Sequence, residues 1–582
     1  MYLCQLIDRN FLLTFYLYFI MKKLLFRLGM SVALVSMLAS CADLGEMKPE
    51  YFSVNPNPLE VKAGKVEGTI TANFPEKYFT KNATVEVTPV LRYEGGEALS
   101  QSYTFQGEKA KGNNETVQYK AGGSYSMPFS FEYVPEMANS VLTLRFKAVV
   151  GKKNKEVEVP SVDIAVGCLA TSTLYDAQTV KPAFAKDNFV RDTQEYTEAD
   201  IMFAIQQSNV KTNDDVKALQ KAEKDAAACE KRTVDGLAVV SAASPDGGAE
   251  LNEKLAAARQ KNTLAFLKQQ KSQAALDAQY IAQDWDGFQK LVQESSVKDK
   301  DLILRVLGSY ADSETREKEI KNLSAAYTEL ASDILPKLRR SHMTLTVTLK
   351  GKTDEEILAL AANNPDSLNV EELMFASKLA CQAGNKEDAA KFTEANAKQN
   401  ASDWRTQNNL GALDFAKGEI DASKEALKAS AANGGDSKPE YNFNMGLIAL
   451  TEGQNGAAAE SFGKAAGVEN LSEAQGVLAI ANGDYASAVQ SFGNTASNNA
   501  ALAQMLVNNN DKAKSILNSM EQKDATTYYL LAICAARSAQ DFDLFTNLKQ
   551  AVALNGEYAA RAKTDLEFAK YWTVANFTEI VK

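Results

Sequence analysis

Histidine is nearly missing from this chain of 582 residues, because His342 is its one example. A Ser-His-Asp triad, a two-histidine zinc site or a histidine proton relay would have to use that residue or replace it. The sequence also has no Cys-x-x-Cys, no Walker-type glycine loop, no Gly-x-Gly-x-x-Gly and no Gly-x-Ser-x-Gly. We therefore expect a protein that is not an enzyme and that holds no cofactor and no metal.

Basic charge and cysteine are also scarce. Lys and Arg number 63 against 74 Asp and Glu, and the net charge of −11 repels a phosphate backbone, which argues against a nucleic-acid partner. Of the six cysteines, four lie far apart beyond the N-terminal segment. These are Cys168, Cys229, Cys381 and Cys534, and their spacing predicts buried single thiols instead of a disulfide framework.

The N-terminal segment has the pattern of a secretory signal. Met21-Lys22-Lys23 precedes an apolar stretch over residues 24–38, and the stretch is too short to span a bilayer. It ends in Leu38-Ala39-Ser40-Cys41, which resembles a bacterial lipobox. The resemblance implies cleavage by signal peptidase II and acylation of Cys41, with palmitate among the expected chains. We expect translation to start near Met21, a signal over residues 1–40 and a lipidated linker over residues 41–50.

Lipid on Cys41 would tether the protein to a membrane without a transmembrane helix. Ala42 follows the cysteine, and in the enterobacterial sorting rule this resembles an outer-membrane lipoprotein. The predicted location is therefore the outer membrane, and the sequence leaves the periplasmic and the cell-surface face open.

Residues 51–170 show a pattern of period two. The clearest predicted strands cover residues 84–90 and 141–149, and Gly- and Asn-rich turns separate about seven short runs. Since no amphipathic helical segment interrupts them, we predict an all-β, immunoglobulin-like sandwich domain.

From residue 190 to 350, strand and helix patterns alternate. The order predicted is β-α-β-α-β-β with a long helical insertion. The supporting segments are a strand at 199–205, a helix start at 212–215, a strand at 237–242, a helix with Leu251, Leu255 and Ala258 on one face, and a strand at 343–349.

The segment Ala243-Ser244-Pro245-Asp246-Gly247, followed by Asn252, Leu255 and Arg259, resembles the core motif of the OmpA-like, peptidoglycan-associated family. Asp284-Trp285-Asp286-Gly287 and Leu335-Pro336-Lys337-Leu338-Arg339-Arg340 are similar to a Bacteroidetes subgroup of that family. The resemblance covers residues 190–350 and implies an α+β domain. It also implies that a loop Asp and a helix Arg clamp the diaminopimelate of peptidoglycan. Arg259 stands at the arginine position with Asn252 on the same helix face, whereas Ser244 stands at the aspartate position and Asp246 follows two residues later.

Residues 353–575 have a helical pattern rich in Ala and Leu. Glycines recur at spacings of 34, 35 and 30 residues, at Gly384, Gly418, Gly453 and Gly483. Asn409-Leu410-Gly411 and Asn444-Met445-Gly446 lie 35 residues apart as well. A period near 34 resembles the tetratricopeptide (TPR) repeat, which implies an all-α solenoid whose groove binds envelope proteins.

These patterns together resemble a Bacteroidetes outer-membrane lipoprotein that acts as a non-enzymatic scaffold and touches peptidoglycan through its OmpA-like domain. The alternative is a surface glycan-binding lipoprotein similar to the SusD family, which is also lipidated and built on TPR-like units. Such proteins use aromatic platforms for sugars, and this chain offers Trp285, Trp404 and Trp572.

Overall fold

The computed structural model describes Leu44, residues 46–151 and residues 155–582, with the backbone alone described for residues 324–326. These residues form two compact units. Unit 1 combines the described residues up to Lys186 with Asn396–Lys582, and unit 2 consists of Asp187–Ala395. Unit 2 is therefore inserted in the sequence of unit 1. Within the described ranges, no helix is both long enough and apolar enough to cross a bilayer.

Unit 1 begins with a β-rich region of two sheets. A five-stranded sheet has the order β1-β3-β2-β12, with β8 also paired to β3. A seven-stranded sheet has the order β10-β9-β4-β6-β7, with β11 on β9 and β5 on β4. The strands are β1 (Phe52–Asn55), β2 (Leu59–Lys62), β3 (Lys65–Phe74), β4 (Ala83–Tyr93), β5 (Gly96–Leu99), β6 (Tyr103–Gly107), β7 (Glu115–Val117), β8 (Gly123–Glu132), β9 (Ser140–Val150), β10 (Lys155–Val157), β11 (Val162–Val166) and β12 (Cys168–Leu169).

The strands β4 and β9 contain the two segments with the clearest period of two in the sequence. They pair antiparallel, beginning with Ala83 opposite Val150. Alternate side chains face inward, so that Val87 of β4 and Leu144 of β9 share one hydrophobic core with Ile70 of β3 in the other sheet. The prediction of a β-rich N-terminal region is confirmed.

Unit 2 contains a four-stranded sheet in the order β13-β16-β14-β15, in which β14 and β15 run parallel and the other neighbours run antiparallel. Five short helices and a π-helical turn separate β15 from β16. The elements are β13 (Thr193–Met202), α1 (Asp214–Ala227), β14 (Arg232–Ala242), α2 (Ala249–Gln269), β15 (Leu276–Ile281), α3 (Trp285–Glu294), α4 (Lys300–Ser309), α5 (Ser313–Asn322), α6 (Ser324–Glu329), α7 (Leu335–Leu338), β16 (Arg340–Leu349), α8 (Asp354–Asn363), α9 (Val370–Gln382) and α10 (Lys386–Gln399).

The buried face of α2 differs from the predicted one. Leu251, expected to face the core, is 51% exposed. The buried stripe instead consists of Asn252, Ala256, Arg259, Thr263 and Leu267. Its polar members have partners inside unit 2, as when the Thr263 hydroxyl donates to the Ser341 hydroxyl at 2.9 Å. Hydrogen bonds therefore set the orientation of this helix, and apolar periodicity does not reveal them.

Unit 1 continues with an all-helical region. Consecutive helices form five pairs, and each pair packs against the next. The helices are α11 (Trp404–Lys417), α12 (Ile420–Ala432), α13 (Pro439–Thr451), α14 (Asn455–Gly463), α15 (Leu471–Ala481), α16 (Tyr485–Phe492), α17 (Asn498–Leu506), α18 (Asn510–Ser519), α19 (Ala525–Arg537), α20 (Asp541–Leu554), α21 (Glu557–Ala562) and α22 (Ala575–Ile580). The prediction of a helical C-terminal region is confirmed, and the stacked pairs are consistent with a TPR-like solenoid. Its first helices group with unit 2, so the boundary at residue 395 differs from the predicted one near residue 353.

The recurring glycines have two separate roles. Gly418, Gly453 and Gly483 lie in the turns between the helices of a pair, with φ of 80°, 73° and 72°. This left-handed conformation favours glycine because it has no Cβ. Gly446 lies inside α13, where a Cβ would overlap the ring of Phe462 on α14. The first three therefore close three of the five helix pairs, and Gly446 lets two helices approach closely.

Candidate functional site

Three residues that were predicted to contact peptidoglycan lie close together: Ser244 and Asp246 in the loop between β14 and α2, and Asn252 in the first turns of α2. The Ser244 hydroxyl donates to the Asp246 carboxylate. The Asn252 amide donates to the backbone oxygens of Ser244 at 3.0 Å and Gly247 at 2.9 Å. Ser244 and Asn252 are buried. The loop is therefore held by its own hydrogen bonds.

Arg259 is fully buried, with an exposed fraction of 0%. Its three guanidinium nitrogens donate to backbone oxygens, which belong to Gln207 at 3.0 Å, Ala242 at 2.7 Å and Ala204 at 3.4 Å. Burial, together with the charge of Arg339, lowers the pKa of Arg259 to about 10. The guanidinium therefore holds the segment after β13 and the end of β14, and it is not exposed at the surface.

Arg339, which the sequence interpretation did not assign to the site, is the cation that faces Asp246. Its Nε donates to the Ser244 hydroxyl at 3.1 Å, and its Nη2 donates to Asp246 Oδ2 at 3.4 Å. The side chains of Arg339 and Asp246 are only 12% and 16% exposed. The clamp expected from Arg259 and Asp246 is thus not assembled in this structure, and contact with peptidoglycan stays a prediction. The one sequence signal for Arg339 was its place in the motif before β16.

The cysteines divide into three cases. Cys41 lies outside the described residues, so its acylation stays a prediction. Cys168 and Cys534 are buried, and burial raises the pKa of each thiol to about 11. Cys229 and Cys381 are exposed, so the prediction of four buried thiols is wrong for these two. Both lie near the ends of helices, and apolar neighbours in the sequence do not by themselves bury a side chain there.

His342 has partners on both ring nitrogens. Its Nδ1 lies 2.9 Å from Asp200 Oδ1 across the β13–β16 pair, and its Nε2 lies 3.4 Å from the Thr344 hydroxyl. These contacts give it a structural role on the sheet. In the part of the chain that the structure describes, no group of three or more His, Cys, Asp or Glu side chains is arranged to hold a metal ion.

An extended segment of unit 1 crosses the helical region. We call residues 171–186 the strap; it follows β12 and contains two short 3-10 helices, Thr171–Leu174 and Ala177–Thr179. The strap crosses α17, α15, α13 and α11, which are the first helices of four pairs and form what we call the first-helix face. Val180 and Ala183 of the strap are buried in the same core as the helices. The face expected to bind partners is thus occupied by the chain itself.

Three asparagine side chains hold the strap by its backbone. In each case the amide oxygen accepts the N–H of one strap residue, and the amide nitrogen donates to the C=O of the same residue. The pairs are Asn499 with Asp176 (2.9 and 2.8 Å), Asn444 with Ala183 (2.8 and 2.8 Å) and Asn409 with Ala185 (2.6 and 3.0 Å). Because all six bonds go to the main chain, this recognition depends on an extended backbone and little on strap side chains.

The first-helix face is preorganised around Ala183. Asn408 donates to the Ala183 oxygen at 3.1 Å, and Asn444 donates to Asn408 Oδ1 at 3.1 Å. The recurrence of Asn409 and Asn444 was visible in the sequence as part of the repeat, but its role in holding the strap was missed. Sequence patterns do not reveal this partner, because Ala185 of the strap lies 224 residues before Asn409.

Charged groups fix the start of the strap. The Thr171 hydroxyl donates to Glu567 at 2.6 Å, and the same carboxylate accepts from Arg537 at 3.0 Å. Burial lowers the pKa of Arg537, but the hydrogen bond and charge of Glu567 outweigh it and raise the pKa above its usual value. Arg561 donates to the Thr173 hydroxyl at 3.0 Å. These contacts fasten the strap at its start.

Comparison with solved structures finds a likeness to part of this chain. No protein-family model and no curated protein matches the chain. The crystal structure of a tetratricopeptide repeat protein from Parabacteroides merdae is similar to part of it, with 13% identity and a TM-score of 0.28. The match covers 37% of this chain and 90% of that one. A likeness at this level carries no conclusion about function.

Proposed function

We propose that this protein is a non-enzymatic scaffold of the bacterial cell envelope and that its helical region binds polypeptides. The observation that supports the proposal is the hold of Asn409, Asn444 and Asn499 on an extended main chain. Each non-proline residue offers one N–H and one C=O, so paired amide contacts of this kind fit many sequences. Neutral amides supply binding and no acid, base or nucleophile.

Photo-cross-linking in envelope preparations tests the scaffold role. A photoreactive residue is placed at Gln178, Lys181 or Phe184, which are exposed beside the first-helix face, and as a control at Lys428, which is exposed on α12. We expect discrete protein adducts from the strap positions and none of them from position 428. Identical adducts at all four positions would indicate nonspecific proximity and contradict a defined binding face.

The membrane anchor in this proposal is lipid on Cys41. The lipobox-like segment Leu38-Ala39-Ser40-Cys41 supports this anchor. In the sequence, a short linker separates Cys41 from β1. The proposed location is the outer membrane. Metabolic labelling with an alkyne palmitate should tag the wild type and not Cys41→Ala, while Cys229→Ala should be tagged normally. Protease added to intact cells then reports which face of the membrane the protein occupies.

Contact with peptidoglycan is proposed for the loop that contains Ser244 and Asp246, with Asn252 and Arg259 as positioning residues. An Arg–carboxylate pair such as Arg339 with Asp246 offers both charges that a zwitterionic diaminopimelate needs. Co-sedimentation of the mature protein with purified peptidoglycan should weaken in Asp246→Asn and persist in Asp277→Asn, an exposed residue of β15. Absence of wild-type co-sedimentation would remove this part of the proposal.

A glycan-binding role of the SusD type is not proposed, because each tryptophan is engaged within the protein. Trp285 packs edge-on against Phe288 at 5.6 Å, the Lys438 ammonium lies 5.5 Å from the centre of the Trp404 ring, and the Trp572 indole donates to the Ala562 oxygen at 3.1 Å.

A further inference from the structure

The strap fits the first-helix face through small side chains at alternate positions. Ala183 and Ala185 are buried where the backbone lies against Asn444 and Asn409. Between them, Phe184 is 46% exposed although it is aromatic. This is the alternation of an extended strand, with one side chain toward the surface it covers and the next toward solvent. The face therefore selects small residues spaced by two and accepts larger ones between them.

We propose that the strap is a built-in occupant that keeps the first-helix face closed to other polypeptides. Its competitor is an extended peptide with two small residues spaced by two, like Ala183 and Ala185, held by the same asparagine amides. This inference rests on the proposed function, because it takes the face to be a polypeptide-binding site. It adds that the site is closed in the isolated protein and opens when the strap leaves.

The distribution of contacts makes the second half of the strap, from Val180 onward, the part that can leave. The start is tied by the Thr171–Glu567 bond and by Arg561. From Val180 onward, the contacts are hydrogen bonds to backbone atoms and the burial of short side chains. An incoming peptide of matching shape reproduces all of these contacts, so exchange leaves no buried amide of the face without a partner.

Peptide binding to the full-length protein tests the inference. The probe is a fluorescein-labelled synthetic peptide of residues 175–187, followed by fluorescence anisotropy. Val180→Asp places a charge at a fully buried strap position, whereas the matched control Lys181→Ala changes an exposed one. We expect Val180→Asp to bind the peptide at least about tenfold more tightly than wild type, because a larger fraction of its sites is open. Lys181→Ala should bind as the wild type does. Adding Asn444→Ala to Val180→Asp should abolish the gain.

The possible failures separate the inference from the proposed function. Equally tight binding by wild type and Val180→Asp would overturn the closing role of the strap and leave the polypeptide-binding site standing. No binding by a Val180→Asp protein whose strap amides exchange rapidly with deuterium would overturn both.

Native-state hydrogen exchange of the wild type covers the case in which Val180→Asp does not fold. The amides of Ala183 and Ala185 should exchange through an opening of lower free energy than the amides of α13 and α15. Exchange of the strap only together with those helices would make the strap a permanent part of the core and overturn the inference.

Discussion

Asn444 illustrates at the residue scale why a neutral amide suits the strap. Its oxygen accepts from the Ala183 N–H, while its nitrogen donates to the Ala183 oxygen and to Asn408 Oδ1. The residue at this position must therefore carry a hydrogen-bond acceptor that faces the Ala183 N–H and a donor that faces the two oxygens. A carboxylate of the same shape is an acceptor at both ends and would face two oxygens across buried hydrogen-bond distances.

Asn444→Asp should therefore lower the free energy of unfolding by about 2–4 kcal/mol, because it buries a charge and turns two hydrogen bonds into repulsions. Urea denaturation measures the change. The control Asn518→Asp, on the exposed side of α18, should stay within about 0.5 kcal/mol of wild type. Equal losses in the two variants would show that Asn444 does not depend on its contacts with the strap.

In unit 2, the sequence predicts which residues lie close together when they are neighbours in the chain, but not which distant segments they contact. Motif spacing grouped Ser244, Asp246 and Asn252, and in the structure they lie together at the start of α2 because they are close in the chain. The roles of Arg259 and Arg339 depend on segments more than fifty residues away, namely the backbone at Gln207 and the loop at Ser244. Both arginines have the same charge and reach, so the sequence could not say which one is buried under carbonyl groups and which one meets Asp246.

The turn between the helices of a pair is the recurring feature at the scale of elements. It needs one residue in the left-handed region, and glycine takes that position in the pairs closed by Gly418, Gly453 and Gly483. The last two pairs use Asn508 with φ of 60° and Ala539 with φ of 52°. Glycine spacing therefore predicted the earlier pairs, whereas the later pairs keep the geometry without the residue that signals it.

Gly453→Ala should lower the free energy of unfolding by about 1 kcal/mol, because alanine is strained at a φ of 73° while no neighbour lies within 4 Å of its added Cβ. Gly456→Ala is the matched control three residues later. It lies in α14 with open space around a Cβ, and it should leave the stability unchanged or raise it by up to about 1 kcal/mol. Thermal unfolding of both variants measures the difference, and the opposite order would contradict the assignment of Gly453 to a left-handed turn.

At the scale of the whole chain, the strap is the segment after which unit 2 is inserted. The β-rich region leads into it, unit 2 is inserted after Lys186, and the helices that bind the strap return at Asn396. Composition placed the boundary near residue 353, where the pattern becomes helical, because a helical pattern does not say which neighbours a helix packs against. The strap could not be predicted for a related reason, because its residues show no helical or alternating pattern long enough to indicate an element.

If unit 1 is complete without the insertion, replacing residues 187–395 by an eight-residue Gly-Ser linker should leave a protein that unfolds in one cooperative transition. The two ends to be joined both lie beside α11, since Ala185 is bonded to Asn409 and the Ala397 oxygen accepts from Gln407. An eight-residue linker reaches about 26 Å, more than the 10–12 Å or so across a helix. Calorimetry and near-ultraviolet circular dichroism measure the transition, and hydrogen exchange at Ala183 reports whether the strap is still bound.

A chain without a cooperative transition would mean that unit 2 is required for unit 1 to fold. A cooperative transition with rapid exchange of the Ala183 amide would mean that the asparagine pairs do not hold the strap without the inserted residues.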